Sequence, residues 1–266
     1  MATVLITGAS DGLGRALAED LAADGHRLLL HGRNPERLAR VAATTGGEIF
    51  TADFASLAAV KRLAAEVTAR HNRLDVLVNN AGVGFEAGST SREMSADGYE
   101  LRLAVNHLAP ALLTHELLPL LRRAAPARVV NVASVGQQLF DFDDPQHERD
   151  FTQFDAYCRS KLALISHTAD LAARLAGTGV TVNAVHPATF MATTMTEASG
   201  LPAQEPLEKG VAATRRLVDH PGLASVTGAY FHSEEQASVS EPRALDAEYV
   251  GRLAALTGRL IDDVTV

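Results

Sequence analysis

The sequence predicts an α/β fold, a doubly wound parallel sheet with helices on both faces. Three observations carry this expectation. Short apolar runs alternate with longer helical patterns along the chain. The runs are rich in Val, Leu and Ile without polar alternation, as strands covered on both faces are. A glycine-rich turn, Thr7-Gly8-Ala9-Ser10-Asp11-Gly12-Leu13-Gly14, joins the first run to the first helical pattern. Repeated βα units of this kind assemble into a doubly wound sheet.

In chain order, strands are expected over residues 4–6, 27–31, 48–51, 76–79, 128–132 and 180–185, and helices over 13–23, 35–43, 57–71, 98–122, 154–176 and 207–220. Pro35 suits a first helical turn and Ser56 a helix cap. The stretches 83–96, 136–153 and 188–206 read as irregular. Each follows a strand, and open α/β sheets bind ligands beyond the carboxyl ends of their strands, so all three are expected at that edge. With no internal repeat, linker or composition break, one domain spans 1–266, with substrate loops around 136–153 and 188–206.

Composition narrows the function. Of 266 residues 47% are hydrophobic, enough for a substantial core. A net charge of −8 argues against nucleic-acid or anionic-membrane binding, and the lack of Trp against a base-stacking surface. Cys158 is the only cysteine, so neither an intrachain disulfide nor a cysteine zinc cluster is possible. No histidine has ligand spacing with a second His or Cys, and no metal site is expected. No apolar run has membrane-spanning length, and the N-terminus enters a strand without a basic segment, so a soluble cytoplasmic protein is expected. The Ala-rich, lysine-poor composition suggests a GC-rich bacterial source, with specialised metabolism as one home.

The glycine turn lets the chain bend tightly and lets a pyrophosphate approach the backbone at a helix N-terminus. The second strand ends in His31-Gly32-Arg33-Asn34. A carboxylate there would favour NAD; Arg33 instead suits the 2′-phosphate of NADP. NADP(H) is therefore favoured, with NAD(H) the alternative. Asp11 inside the turn is mildly unfavourable to a nearby phosphate. Asp53, after the third strand, suits the adenine amino group or an ordinary turn. Asn79-Asn80-Ala81-Gly82 lets the chain pass close to a cofactor or forms a simple turn.

Tyr157 and Lys161 are four residues apart on an expected helix and share a face. The ammonium, with an oxidised nicotinamide, is expected to lower the phenol's pKa towards working pH. Ser134 ends the fifth strand, where its hydroxyl can bond a substrate oxygen. Each piece alone is ordinary; together they describe carbonyl–alcohol chemistry.

With these motifs the chain resembles the short-chain dehydrogenases/reductases, of Rossmann-type fold, from about Val4 to Pro187. The resemblance implies cofactor contacts at Gly8, Ser10, Asp11, Gly12, Leu13, Gly14, Arg33, Asp53, Phe54, Asn80, Ala81, Gly82, Tyr157, Lys161 and Pro187. It implies that Ser134 polarises the carbonyl, Tyr157 is the acid/base, Lys161 binds the nicotinamide ribose and tunes Tyr157, and Asn106 holds a water in the proton relay. The segments around Val105-Asn106-His107-Leu108, Ala156–Ala163 and Gly179–Pro187, and the long gap from Ser134 to Tyr157, look like retinol-dehydrogenase-like members. The family's Pro-Gly after the sixth strand is Pro187-Ala188 here, and its following threonine falls on Thr193 or Thr194. A homo-oligomer built through the long helices around Asn106 and Tyr157 is also implied.

The stretch 136–153 interleaves Phe140, Phe142 and Phe151 with Asp141, Asp143, Asp144, Glu148 and Asp150. The aromatics suit a bulky, partly apolar substrate, the carboxylates a cationic one, and both together a solvated loop packed on the core. Cys158 reads as a small buried hydrophobe and His186 as structural; Met191 and Met195 suit a loop lining or loop packing. The leading reading is an NADP(H)-dependent oxidoreductase acting on a small molecule. Its rivals are an epimerase or dehydratase with the same Tyr and Lys, and a cofactor-binding regulator or scaffold on the same fold.

Overall fold

The computed structural model describes residues 1–265. Eight strands form one sheet in the order β3-β2-β1-β4-β5-β6-β7-β8, parallel except for the last pair. They are β1 Thr3–Ile6, β2 Arg27–Gly32, β3 Glu48–Thr51, β4 Val76–Asn79, β5 Ala127–Val132, β6 Val180–His186, β7 Tyr230–His232 and β8 Glu235–Ala237. The helices are α1 Gly12–Ala23, α2 Pro35–Thr45, α3 Leu57–Arg70, α4 Leu101–Leu103, α5 Ala109–Ala124, α6 Gln153–Arg174, α7 Thr194–Ser199, α8 Leu207–Asp219 and α9 Ala247–Thr265.

The apolar strands are divided between the two faces residue by residue. Leu5, Leu29, Leu77 and Val129 point to the layer holding α3, α5 and α9. Their neighbours Val4, Ile6, Leu28, Leu30, Val76, Val78 and Val130 point to the layer of α1, α2 and α8. Successive side chains alternate across a strand, so a continuous apolar run serves both layers. Side-chain caps start the helices: Asn34 accepts from Arg37 N at 2.9 Å, and Ser56 from Ala59 N at 3.3 Å.

Several boundaries differ from expectation. The helix expected over 98–122 begins at Leu101, passes through a π turn at Ala104–Leu108 and continues to Ala124. Pro110 follows the π turn and has no N–H to give to the carbonyl of Asn106, which breaks the α ladder there. The 188–206 stretch contains α7, and β7, β8 and α9 extend the fold beyond the elements expected. Helix α9 packs on α3, on α6 and on the π turn. The chain's own C-terminal helix thus covers part of the face through which a homo-oligomer is expected to form. Among the described residues no helix is long and apolar enough to cross a membrane, and no cluster of metal-ligating side chains occurs.

Candidate active site

The carboxyl ends of β1, β4, β5 and β6 meet at one edge, and the connections after them build the site. The glycine turn is pressed against the end of β4. A methyl group at Gly14 would lie 2.3 Å from the Gly8 carbonyl oxygen and 2.5 Å from Asn80 Nδ2. Gly8 takes φ +68°, and a methyl there would lie 2.9 Å from Ala81 Cα. Buried Thr7 fixes this approach. Its hydroxyl donates to the Val78 carbonyl at 3.2 Å and accepts from the amides of Asn80 and Ala81, each at 2.9 Å. Asn80 Nδ2 donates to the Thr7 carbonyl at 2.8 Å. Only Gly fits such contacts, and the backbone left open above them is the cradle a pyrophosphate fits.

Asp11 does more than sit beside a phosphate path. It caps α1, accepting from Gly12 N at 2.8 Å, and also accepts from the Thr194 hydroxyl at 2.7 Å and from Arg37 at 3.3 Å. The Thr194 bond chiefly holds its carboxyl below the usual value. Thr193, the other threonine expected in this loop, caps α7 and packs against Gly12. Leu13 is buried in the layer of α1. Ser10 lies beside Gly32, and Arg33 is exposed with no hydrogen-bond or ion-pair partner among the described residues. Asp53 is exposed and accepts from Ala55 N at 3.0 Å, a turn bond that leaves its second oxygen open. Phe54 does not offer its ring to a cofactor: it is 3% exposed and stacks on His31 at 4.3 Å. Buried Asn79 holds the strands instead, donating to Asn131 at 2.8 Å and Thr114 at 3.0 Å.

Tyr157, Lys161 and Ser134 converge as the motif implies. Ser134 Oγ and the Tyr157 ring meet over Gly136, 3.5 Å and 3.7 Å from where a methyl group there would lie, and the serine hydroxyl pulls the phenol's pKa down. Lys161 Nζ donates to the Val132 carbonyl at 2.8 Å, lies 5.8 Å from the centre of the Tyr157 ring, and faces Gly82. Asn106, in the π turn, brackets Val83: it accepts from Val83 N at 2.8 Å and donates to Val83 O at 3.0 Å. It also donates to Ser160 Oγ at 3.0 Å, and Ser160 donates to the Tyr157 carbonyl at 2.7 Å. Pro187 and buried Ala188 follow β6 at the same edge.

The expected lowering of the Tyr157 pKa does not occur in the protein alone. Burial pushes the phenol up to about 12, against the opposing pull of Ser134, while burial brings Lys161 down to about 8. The ammonium is engaged by a backbone carbonyl rather than by the phenol. Burial also pushes the Cys158 thiol up to about 12, which leaves it a poor nucleophile. His186 is buried, bonds Thr189 at 3.0 Å and is held near 4 by burial.

Of the readings open for the 136–153 stretch, the structure takes the loop packed on the core. Phe140 is buried in the core against Phe142; Phe142 packs on Tyr249, and Phe151 on His147. Three of the five carboxylates are engaged too: Asp141 and Asp144 pair with Arg149, and Glu148 with Arg92. The aromatics beside Tyr157 are Phe85, 5.4 Å from its ring, and Phe154, edge-on to Phe85 at 4.9 Å. Phe154 is 48% exposed, Val135 46% and Met195 40%. Met195 reaches Gly84, whereas Met191 packs on Gly210. Tyr230, from a strand that the sequence does not reveal, donates to the Ser134 carbonyl at 3.1 Å. Thr7 and Ser160 lie within the glycine-turn and Tyr–Lys motifs but carry no signal of their own there; Phe85 and Tyr230 have none.

A short chain dehydrogenase family model matches residues 2–203. Retinol dehydrogenase 13 of Homo sapiens is 35% identical over 284 residues, covering 97% of this chain and 84% of that protein. Retinol dehydrogenase 14 of Mus musculus is 35% identical over 284 residues, covering 94% and 83%. Among solved structures, the RhlG/NADP active-site complex of Pseudomonas aeruginosa superposes with a TM-score of 0.72 at 29% identity, covering 87% of this chain and 94% of that one.

Proposed function

The chain belongs to the short-chain dehydrogenase family, oxidoreductases acting on CH–OH, and from that premise we propose that it interconverts a carbonyl and an alcohol with NADP(H), on a bulky, partly apolar small molecule. The observation that carries the proposal is the contact of Ser134 with Tyr157 beside Lys161, at the edge that also holds the glycine cradle. Gly8, Gly12 and Gly14 would hold the pyrophosphate, Arg33 the 2′-phosphate and Lys161 the nicotinamide ribose. NADP(H) supplies or accepts the hydride.

The protein's part is binding, orientation and proton movement. Ser134 Oγ hydrogen-bonds the carbonyl oxygen and fixes it against Tyr157 Oη. At neutral pH the buried phenol keeps its proton, the form that carbonyl reduction needs, and gives it to that oxygen. Asn106 and Ser160 connect the Tyr157 backbone to Val83 and hold this geometry. Phe85, Phe154 and Met195 supply an apolar wall, and pairing with Arg149 takes up Asp141 and Asp144. The name that two relatives share, retinol dehydrogenase, agrees with an apolar substrate. A homo-oligomer of this chain would pair through the part of the α5 and α6 face that α9 leaves open.

Tyr157→Phe tests the reading. Turnover of NADPH with a working aldehyde or ketone is expected to fall by about 10²- to 10⁴-fold, with NADPH affinity unchanged. Wild-type turnover by this variant would contradict it.

A further inference from the structure

Asn106 and His107 are adjacent in the π turn, yet they serve different sides of it. Asn106 reaches Val83 and Ser160. His107 reaches α9: its Nε2 lies 2.7 Å from Thr257 Oγ1. Both partners are buried, His107 at 1% and Thr257 at 6% exposure. The His107 ring also meets His167 of α6 edge-on at 5.9 Å.

The same helix grips the segment before the turn and the loop after β5. Tyr99 Oη, just before α4, donates to the Leu260 carbonyl at 2.7 Å. Tyr249 Oη accepts from Phe140 N at 2.7 Å, and Arg252 lies 4.4 Å over the Phe142 ring. A π turn is a local departure from the regular ladder, so its register is set by outside contacts. Asn106 can bracket both the N–H and the carbonyl of Val83 only in one placement of that turn.

We propose that Thr257 is a positioning residue for proton transfer: by holding His107, it fixes the turn that places the Asn106 carboxamide. Thr257 itself touches no reacting atom. The inference rests on Asn106 belonging to the proton-transfer machinery.

The test compares Thr257→Val, nearly isosteric, with Thr257→Ser, which keeps the hydroxyl, in the full chain. Thr257→Val is expected to lower kcat roughly three- to tenfold, the scale of one net hydrogen bond. It should also shift the pH profile of kcat and speed amide exchange at 104–108 but not at 12–23, with NADPH affinity unchanged. Thr257→Ser should restore all three. Wild-type kcat and pH profile in the Val variant would overturn the proposal, even with faster exchange, since the contact would then be structural only. If the Val variant gives no folded protein, Thr257→Ala is read by the same outcomes. Asn106→Ala separates the premise: lost turnover there with normal Thr257→Val overturns the positioning role alone, whereas wild-type turnover in Asn106→Ala overturns the premise and the proposal together.

Discussion

The cofactor edge and the substrate edge of the cleft are built by different means. At the first, backbone meets backbone: Gly14 and Gly8 leave no room for a methyl group, and Thr7 and Asn80 lock the turn to β4. At the second, three side chains from separate segments, Phe85, Phe154 and Met195, lie near Tyr157 and Gly84, two of them at least 40% exposed. Backbone cradles tolerate almost no variation, whereas an exposed wall of flexible apolar side chains can be remodelled without disturbing the sheet. Under the proposed function, the cofactor edge would set the kind of chemistry and the substrate edge what undergoes it.

The broadest way to break both edges at once is acid. Burial lowers His31 to about 4, His107 to about 3, His167 to about 4 and His186 to about 4. The unfolded chain takes up protons at these histidines near about pH 6.5, where the folded chain does not. Stability is therefore full above that pH and is lost as pH falls towards 4. A tenfold difference in proton affinity between the two states corresponds to about 1.4 kcal/mol, a large share of a typical folding free energy of about 5–15 kcal/mol. A steep fall in Tm between these pH values, followed by calorimetry, is expected; a flat Tm would contradict it.

Gly14→Ala attacks the cofactor edge alone. Overpacking against backbone costs about 1–3 kcal/mol, so NADPH affinity should fall by as much as about a hundredfold by titration. Arg33→Ala sharpens the edge's selectivity. It should weaken NADPH by roughly ten- to a hundredfold, the range of a charged hydrogen bond, and leave NADH where it was; equal losses for both cofactors would count against Arg33 as the 2′-phosphate ligand. Phe154→Ala breaks the other edge, lowering kcat/KM for a bulky apolar aldehyde by about tenfold with NADPH affinity unaltered.

The same contrast explains what is legible in the sequence. Motifs held by local backbone geometry can be read directly: strands β3 and β4 fall where their Val, Ile and Asn patterns place them, and the glycine turn joins β1 to α1. The Tyr157–Lys161 pair is legible because four residues make about one helical turn. The π turn is not, since Asn106 within an apolar pattern gives no sign of i→i+5 bonding. Strands β7 and β8 have three residues each, too few for a period to emerge. Helix α9 carries Gly251 and Gly258 inside its pattern, which weakens its helical signal. Phe140 and Phe142 stay open between substrate contact and core packing in the sequence, because composition cannot say which way an aromatic faces. Their partner is α9, an element the sequence does not announce.

The division of labour between the edges is tested most directly by a double-mutant cycle on kcat/KM with NADPH and one bulky apolar aldehyde, combining Arg33→Ala with Phe154→Ala. Independent edges predict that the two losses multiply, with coupling no larger than about 0.5 kcal/mol. Coupling well beyond that would show that Arg33 and Phe154 act on one shared element, and the separation of cofactor edge from substrate edge would be wrong.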